Sequence, residues 1–372
     1  MATNYFQSVQ EIARQSVMSL YQNLVMPNLM YKEYSNDFQT GKGATVLAKL
    51  PPEYTAHEFV AASGVTEYAV DDDNTVSVTL GTIATVDVGI QAIEMATNID
   101  DLKRVFTDPA ARALADYIND DCLNLYKTVP YWTGAAASTP DALSDFTEPS
   151  KILNDNKVPM AGRKAIWDSA ALGKFQLIDT VVEADKSGTT QALREGSIGR
   201  VMALDNYMAQ GVKTHTTGAA TGGTIAIDNN PDGYDAGDSV LHVDGLSSAF
   251  IVGDRFTLDS YQYVVTAVGD LETADQDITI YPVLQSDVSD GDALTLIASH
   301  VANMVFHENA FAFVNRPLLA PSDKLSYTVS YNGLSLRVVR GYNMQYKKEV
   351  LSMDILYGYK ALKPTAACLV LG

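Results

Sequence analysis

The segment Asp108-Pro109-Ala110-Ala111-Arg112-Ala113-Leu114-Ala115-Asp116-Tyr117-Ile118-Asn119-Asp120-Asp121-Cys122-Leu123-Asn124-Leu125-Tyr126-Lys127 is the strongest helical pattern in the chain. Asp108 can cap the free amides of a first turn, and Pro109 fits a position that needs no backbone N–H. Leu114, Ile118, Cys122 and Leu125 then recur on one face. At about 3.6 residues per turn the pattern predicts roughly five turns, ending near Lys127.

Upstream of it the chain reads differently. Gln7 to Val25 carries Val9, Ile12, Val17, Leu20 and Leu24, an imperfect helical stripe that Pro27 ends. From Thr45 to Val88 the pattern is extended. Glu67 to Val70 and the β-branched run Thr75 to Leu80, joined by Asp71-Asp72-Asp73-Asn74, predict a long hairpin. Downstream, a Gly/Ala/Ser/Pro-rich loop spans Gly134 to Pro140, and Lys151 to Gly211 mixes strand-like and helical stretches, Arg163 to Trp167 among them. The end of the chain returns to strands at Ala302–Phe306, Ser326–Ser330, Leu334–Arg340 and Ser352–Tyr357. The fold class is α+β.

Charge marks a boundary inside this order. The chain has 372 residues and a formal charge of −19. Between Thr217 and Ser299 fourteen acids face the single base Arg255, which leaves a net −6 for all the rest. A Gly/Ala/Thr run from Thr216 to Thr224 flanks the shift, so residues 217–299 read as an insertion. Within it Ser239–Val243, Arg255–Leu258, Tyr261–Val268, Ile278–Val283 and Ala293–Ile297 are β-rich. Gly237-Asp238, Gly253-Asp254, Gly269-Asp270 and Gly291-Asp292 supply turn chemistry between them. That pattern predicts a small all-β barrel or sandwich.

The length suits a multidomain subunit, since single cores stop growing below about 250–300 residues. Apolar residues make up 47% and charged residues 19%, an ordinary globular balance. No segment approaches the roughly 20 apolar residues of a membrane span, and Met1 to Gln10 has neither a secretory nor a transit pattern. The expectation is cytoplasmic synthesis and no membrane. Cys122 and Cys368 are far apart and read as small buried hydrophobes. The strong acidity argues against a protein that grips nucleic acid through its phosphates, so any contact with DNA is expected to be loose. Twenty tyrosines, many near the two ends of the chain, suit interfaces as well as ordinary sheet cores.

Catalytic motifs are missing. Gly41-Lys42-Gly43-Ala44-Thr45 imitates a phosphate loop, but Asn36 stands where the first glycine belongs and Gly43 where Ser or Thr belongs. Neither Gly-x-Ser-x-Gly nor His-Glu-x-x-His occurs; His307-Glu308 runs into Asn309, Ala310 and Phe311. Asp228-Asn229-Asn230-Pro231-Asp232-Gly233 matches the first half of a calcium loop, yet the twelfth position is Ser239, with Asp238 one residue early. The same residues suit a β turn. His57, His215, His242, His300 and His307 are scattered, without a ligand or relay spacing. No catalytic, cofactor-binding or metal residue is assigned, and no cofactor is expected.

Taken in order, several stretches resemble the major capsid proteins of tailed bacteriophages that share the Hong Kong 97 fold, in the branch carrying an inserted β domain. They are Pro27 to Tyr34, the helix from Asp108, Val158 to Arg163, Gly199-Arg200 through Gly211, Phe306 to Phe311, Gly333 to Val338 and Asp354 to Gly358. Together they span nearly the whole chain. The resemblance implies an N-arm at 1–45, an E-loop at 46–90, a P domain with its long spine helix at 91–135 and an A domain at 136–216. It also implies an inserted β domain at 217–299 and strands returning to the A and P domains at 300–372. The partners it implies are further copies of the chain in pentamers and hexamers, a separate scaffolding protein and a portal. The function it implies is a non-enzymatic icosahedral shell around the phage genome, located in the virion. Arm and loop are expected to serve neighbouring subunits more than their own fold. The competing reading is an acidic, calcium-binding, β-rich adhesion or decoration module; a hydrolase is more remote, because no nucleophile has a base and an orienting partner.

Overall fold

The computed structural model describes residues 9–33, 45–49, 75–91, 107–183, 195–218, 225–228, 233–272, 274–319, 325–346 and 348–372. The chain divides into two compact units, one of residues 1–18, 31–110 and 312–362, the other of 19–30, 111–311 and 363–372.

Helix α1 (Val9–Asn23) runs from the first unit into the second. Its apolar stripe is used: Ile12, Ala13, Val17 and Leu20 are buried, as is Leu24 just beyond. The expected arm is therefore packed on its own chain at this helix, because a stripe at helical spacing gains by leaving water wherever it can. Pro27 does more than stop α1. It sits in the first turn of a short second helix, α2 (Met26–Leu29). Asn119 bridges the junction, its Oδ1 accepting from the amides of Val25 at 3.0 Å and Met26 at 3.2 Å while its Nδ2 donates to the Asn23 carbonyl at 3.1 Å.

The long helix, α3 (Asp108–Leu123), opens with Asp108 as its first residue, not as a cap outside it. It tightens into a 3-10 turn at Asn124–Thr128, which carries the coil to the expected end. Leu114, Ile118, Cys122 and Leu125 are all buried.

In the first unit, β1 (Thr45–Lys49) pairs antiparallel with β2 (Thr75–Thr79). The run at Thr75 thus finds its partner at Thr45. The expected partner Glu67–Val70 and the turn Asp71–Asn74 lie outside the described residues. Strand β3 (Thr82–Gln91) lies along β19 (Lys348–Ala361), from Gln91↔Lys348 to Thr82↔Tyr357. The other side of β19 takes β18 (Leu334–Asn343), which continues to β17 (Leu325–Tyr331), and β16 (Phe311–Arg316) completes the sheet. Arg337 and Asp354 face each other across β18 and β19, Nε donating to Oδ2 at 2.9 Å. Asp354 also accepts from Ser352 Oγ at 2.6 Å and Thr85 Oγ1 at 3.2 Å, so this nearly buried charge is satisfied.

The second unit is built on a mixed sheet in the order β4 (Tyr131–Thr133), β20 (Ala367–Leu371), β15 (His300–His307), β5 (Arg163–Trp167), β7 (Leu204–Met208), β6 (Arg200–Val201), with β8 (Thr214–His215) added to β15. Helices α4 (Ser144–Asp155) and α5 (Ser169–Phe175) contribute Phe146 and Phe175, whose rings meet Trp167 of β5 at 5.3 and 4.8 Å. Asp168 caps α5 through the amides of Ala170 and Ala171.

Within the same unit, β9 (Ala226–Ile227), β10 (Val240–Asp244), β11 (Arg255–Leu258), β12 (Tyr261–Val268), β13 (Gln276–Tyr281) and β14 (Thr295–Leu296) form an antiparallel sheet ordered β14-β11-β12-β13-β10-β9. The edges meet. Ile227 donates to the Asp292 carbonyl and accepts from Gly291, and Leu294 donates to Ile225, each at 2.9 Å, so the sheet closes as a small barrel. Its interior is apolar, with Phe250, Phe256, Tyr263, Val265, Ile278 and Ile280 among the buried residues. Of the Gly-Asp glycines, Gly237, Gly253 and Gly291 take positive φ and Gly269 does not; the β11–β12 hairpin turns on Asp259 and Ser260, at φ 50° and 67°.

One close approach fixes a residue type in the first unit. A Cβ on Gly358 of β19 would stand 2.1 Å from the Thr79 carbonyl oxygen and 3.0 Å from its carbon. Gly358→Ala is predicted to cost about 1–3 kcal/mol through overpacking. A lowered denaturation midpoint is the expected reading, and an unchanged midpoint counts against the contact.

Candidate functional site

The most densely bonded polar cluster of the second unit lies where the barrel meets the end of α3. Gly253 turns the chain at φ 103°, and a side chain there would strike Lys127 Cγ at 2.9 Å. The next two residues, Asp254 and Arg255, are fully buried. Arg255 Nη2 donates to the carbonyls of Tyr126 at 2.6 Å and Val129 at 3.4 Å, and Nη1 to Gly253 at 2.8 Å. Its guanidinium carbon lies 5.6 Å from the Tyr126 ring centre. Burial lowers its pKa to about 10. Asp254 accepts from His215 Nε2 at 2.8 Å and from the amides of Ile251 and Gly218. His215 Nδ1 meets the Tyr126 hydroxyl at 3.0 Å. His300 joins from the start of β15: Nδ1 is 2.8 Å from the Ala298 carbonyl, and Nε2 is 3.4 Å from Arg255 Nη1.

A second, open cluster forms on the barrel wall. His242 Nδ1 lies 2.7 Å from Asp277 Oδ1, and its Nε2 lies 3.9 Å from Asp228 Oδ2. Ligand atoms of Asp228, His242 and Asp275 fall within 4.8 Å of one another, the one grouping among the described residues that could hold a metal ion. The hydrogen bond to Asp277, with the charges of Asp277, Asp228 and Asp275, raises the His242 pKa. A proton on this half-exposed imidazole supplies the positive charge the carboxylates favour.

The residues weighed from the sequence fall out as follows. Gly41 to Ala44, His57 and the calcium-loop residues Asn229 to Asp232 lie outside the described residues. His307 caps a 3-10 turn, its Nδ1 accepting from the Asn309 amide at 3.2 Å. Cys122 and Cys368 are free and buried, and burial pushes both thiols up, well away from a reactive thiolate. Of the acids in 217–299, Asp254 alone is buried among the described residues; most others are exposed. The polar pairs His215–Asp254 and His242–Asp277 were invisible as spacing, because their members are 39 and 35 residues apart, the first joined from the turn before β11 and the second by strand register. The Gly-Asp turn before Arg255 was the one local signal.

These clusters hold carbonyls, carboxylates and imidazoles, but no described nucleophile stands beside a base at an open cleft. No helix among the described residues is long and apolar enough to cross a membrane.

No family model matches the chain, and neither does any curated protein. Among solved structures the chain is similar to one from Mycobacterium phage Che8, with 14% identity and a TM-score of 0.55 over 93% of this chain and 90% of that one. It is also similar to a chain in the capsid of the cyanophage P-SCSP1u, with 12% identity and a TM-score of 0.50 over 89% of this chain and 84% of that one. At such identities the likeness is one of fold, and it runs through most of the length of each chain: this α+β chain has the fold of these two phage chains.

Proposed function

We propose that the chain is the major capsid protein of a tailed bacteriophage, a subunit of the Hong Kong 97 type that assembles with copies of itself into the icosahedral shell around the genome. The supporting observation is the likeness to the Che8 phage chain across 93% of this chain, with no large part left unmatched. On this reading 1–45 is the N-arm, 46–90 the E-loop, 91–135 the P domain with α3 as its spine, and 136–216 the A domain. Residues 217–299 are the inserted β domain, and 300–372 returns to the A and P domains. Pentamers and hexamers of the chain, a scaffolding protein and a portal are its partners, with loose contact to packaged DNA. Assembly takes place in the host cytoplasm, and the work is structural, not catalytic.

The direct test is electron microscopy of the chain produced with its scaffolding partner. Closed shells of uniform size are expected; a monodisperse small species under every assembly condition would overturn the proposal.

No Lys, Asn and Glu trio for a covalent cross-link between subunits can be placed in the sequence, and Lys42 sits ahead of the hairpin region. Boiling assembled particles in detergent is predicted to release only 40.2 kDa chains, whereas a ladder of multimers would contradict this.

The acidic barrel surface serves solubility and mutual repulsion on this reading, with His242 balancing the nearby carboxylates. Repulsion between exposed charges is screened by any salt. Monovalent salt is therefore predicted to raise the melting temperature as much as calcium at matched ionic strength. A large calcium-specific rise would favour the binding-module reading.

A further inference from the structure

We propose that Asp254 and Arg255, with Tyr126, His215 and His300, form an acid-releasable latch that holds the barrel to the end of α3. The barrel keeps its own fold when the latch opens.

The hydrogen bonds define the protonation of His300 from its neighbours. The Ala298 carbonyl can only accept, so Nδ1 must carry a proton. The guanidinium of Arg255 can only donate, so Nε2 must present its lone pair. His300 is therefore neutral in the closed latch. A second proton would turn Nε2–H against an Arg255 N–H, replacing an acceptor by a like charge in a buried site. The low pKa of His300, about 4 and caused first by burial, agrees with that geometry.

The surroundings offer little relief. Arg255 comes from β11, His215 from β8 with its ring centre 5.4 Å away, and Tyr126 and Lys127 from the 3-10 turn after α3. Cys368 on β20 is neutral, its thiol held up by burial. Asp254 is the one carboxylate of the cluster, and His215, Gly218 and Ile251 already bond to it. Arg255 Nε has no partner among the described residues, so the guanidinium is closed in without full compensation. Such a contact holds firmly while every partner is in place and yields when one changes charge.

The barrel side differs in kind. Its interior is a separate apolar cluster whose ionisable side chains, among the described residues, are Tyr263 and Tyr234, with hydroxyls that accept from the barrel amides of Gln285 and His242. Acid does not act on that core directly. Beyond the latch, the chief side-chain tie is Gln262, which brackets Trp132 of β4 by accepting from its amide and donating to its carbonyl, both at 3.0 Å. Amides do not titrate, so this tie does not respond to acid directly.

The sign follows from the two states. A histidine kept neutral when closed, and free to take its ordinary pKa when open, adds stability above about pH 6.5 and loses it as pH falls toward 4. Between pH 7 and pH 5 the open fraction should rise about twentyfold.

Amide hydrogen exchange on the full unassembled chain, corrected for the intrinsic pH dependence of exchange, reads this out. Peptides holding the Trp132 amide, which bonds across to Gln262, should lose protection about twentyfold at pH 5, while β12 and β13 of the barrel keep theirs. His300→Gln, which cannot take up the proton, should hold protection level between the two pH values. Arg255→Met should be open at both. Unchanged protection in the unsubstituted chain overturns the proposal without need of any variant. So does simultaneous loss in barrel strands, or an acid response in His300→Gln equal to that of the parent chain.

Discussion

The second unit depends on one pairing, that of His215 with His300. These residues lie opposite each other where β8 meets β15, and Thr214 faces Val301 beside them. The chain leaves the mixed sheet at one of these strands and re-enters it at the other, so the excursion between them begins and ends at neighbouring points. An insertion with adjacent ends leaves the host strands in register, and its loop-closure cost falls on its own folding. Thr217 reinforces the pairing by donating from its amide to Ser299 Oγ at 3.0 Å and from its hydroxyl to the Ile297 carbonyl at 2.9 Å. The composition boundary at 217 and 299 is thus also a structural one, two residues after His215 and one before His300.

The same pairing explains why the buried charges are where they are. Two histidines brought together at the neck of an insertion need polar partners, and the turn leading into β11 and the first residue of that strand supply Asp254 and Arg255 at that point. Arg255, the segment's single base, does not neutralise the acidic surface. It is committed to the carbonyls that end the helix coil at Tyr126 and Val129, where a cation suits the negative end of the helix dipole. Several of the other acids close local turns instead, Asp238 accepting from the Asp235 amide, Asp287 from Ala236 and Asp292 from Ser289, while Asp277 faces His242.

Much of the fold was legible because its signals are local. The stripe at Leu114, Ile118, Cys122 and Leu125 is buried as its spacing requires, and Arg255–Leu258 and Tyr261–Val268 match their strands residue for residue. What escaped depends on distant partners. Ala367–Leu371 is apolar at every position and lies between β4 and β15, so it lacks the alternation that marks a half-exposed strand. The partner of Thr75–Thr79 is about thirty residues away, and nothing in the intervening sequence announces it. Asp259-Ser260 turns without glycine, and no rule based on Gly-Asp pairs finds it. The clusters at His215 and His242 escaped for the same reason: cross-strand register creates them, and spacing along the chain does not record it.

On the proposed capsid reading, charge segregation has a consequence for assembly. Thirteen of the nineteen net negative charges sit in 217–299, and the far longer remainder carries only six. In a closed symmetric shell every copy repeats the same surface, so barrels placed against one another would repel at each contact. The nearly balanced remainder is free of that penalty. It also presents apolar side chains on the first unit's sheet and its flanks, with Leu319, Leu325, Tyr342, Met344 and Tyr346 well exposed. A subunit divided in this way would make its contacts through the host fold and hold its barrel clear of neighbouring barrels. The neck at His215 and His300 would then be the point through which the position of each barrel is tied to the shell.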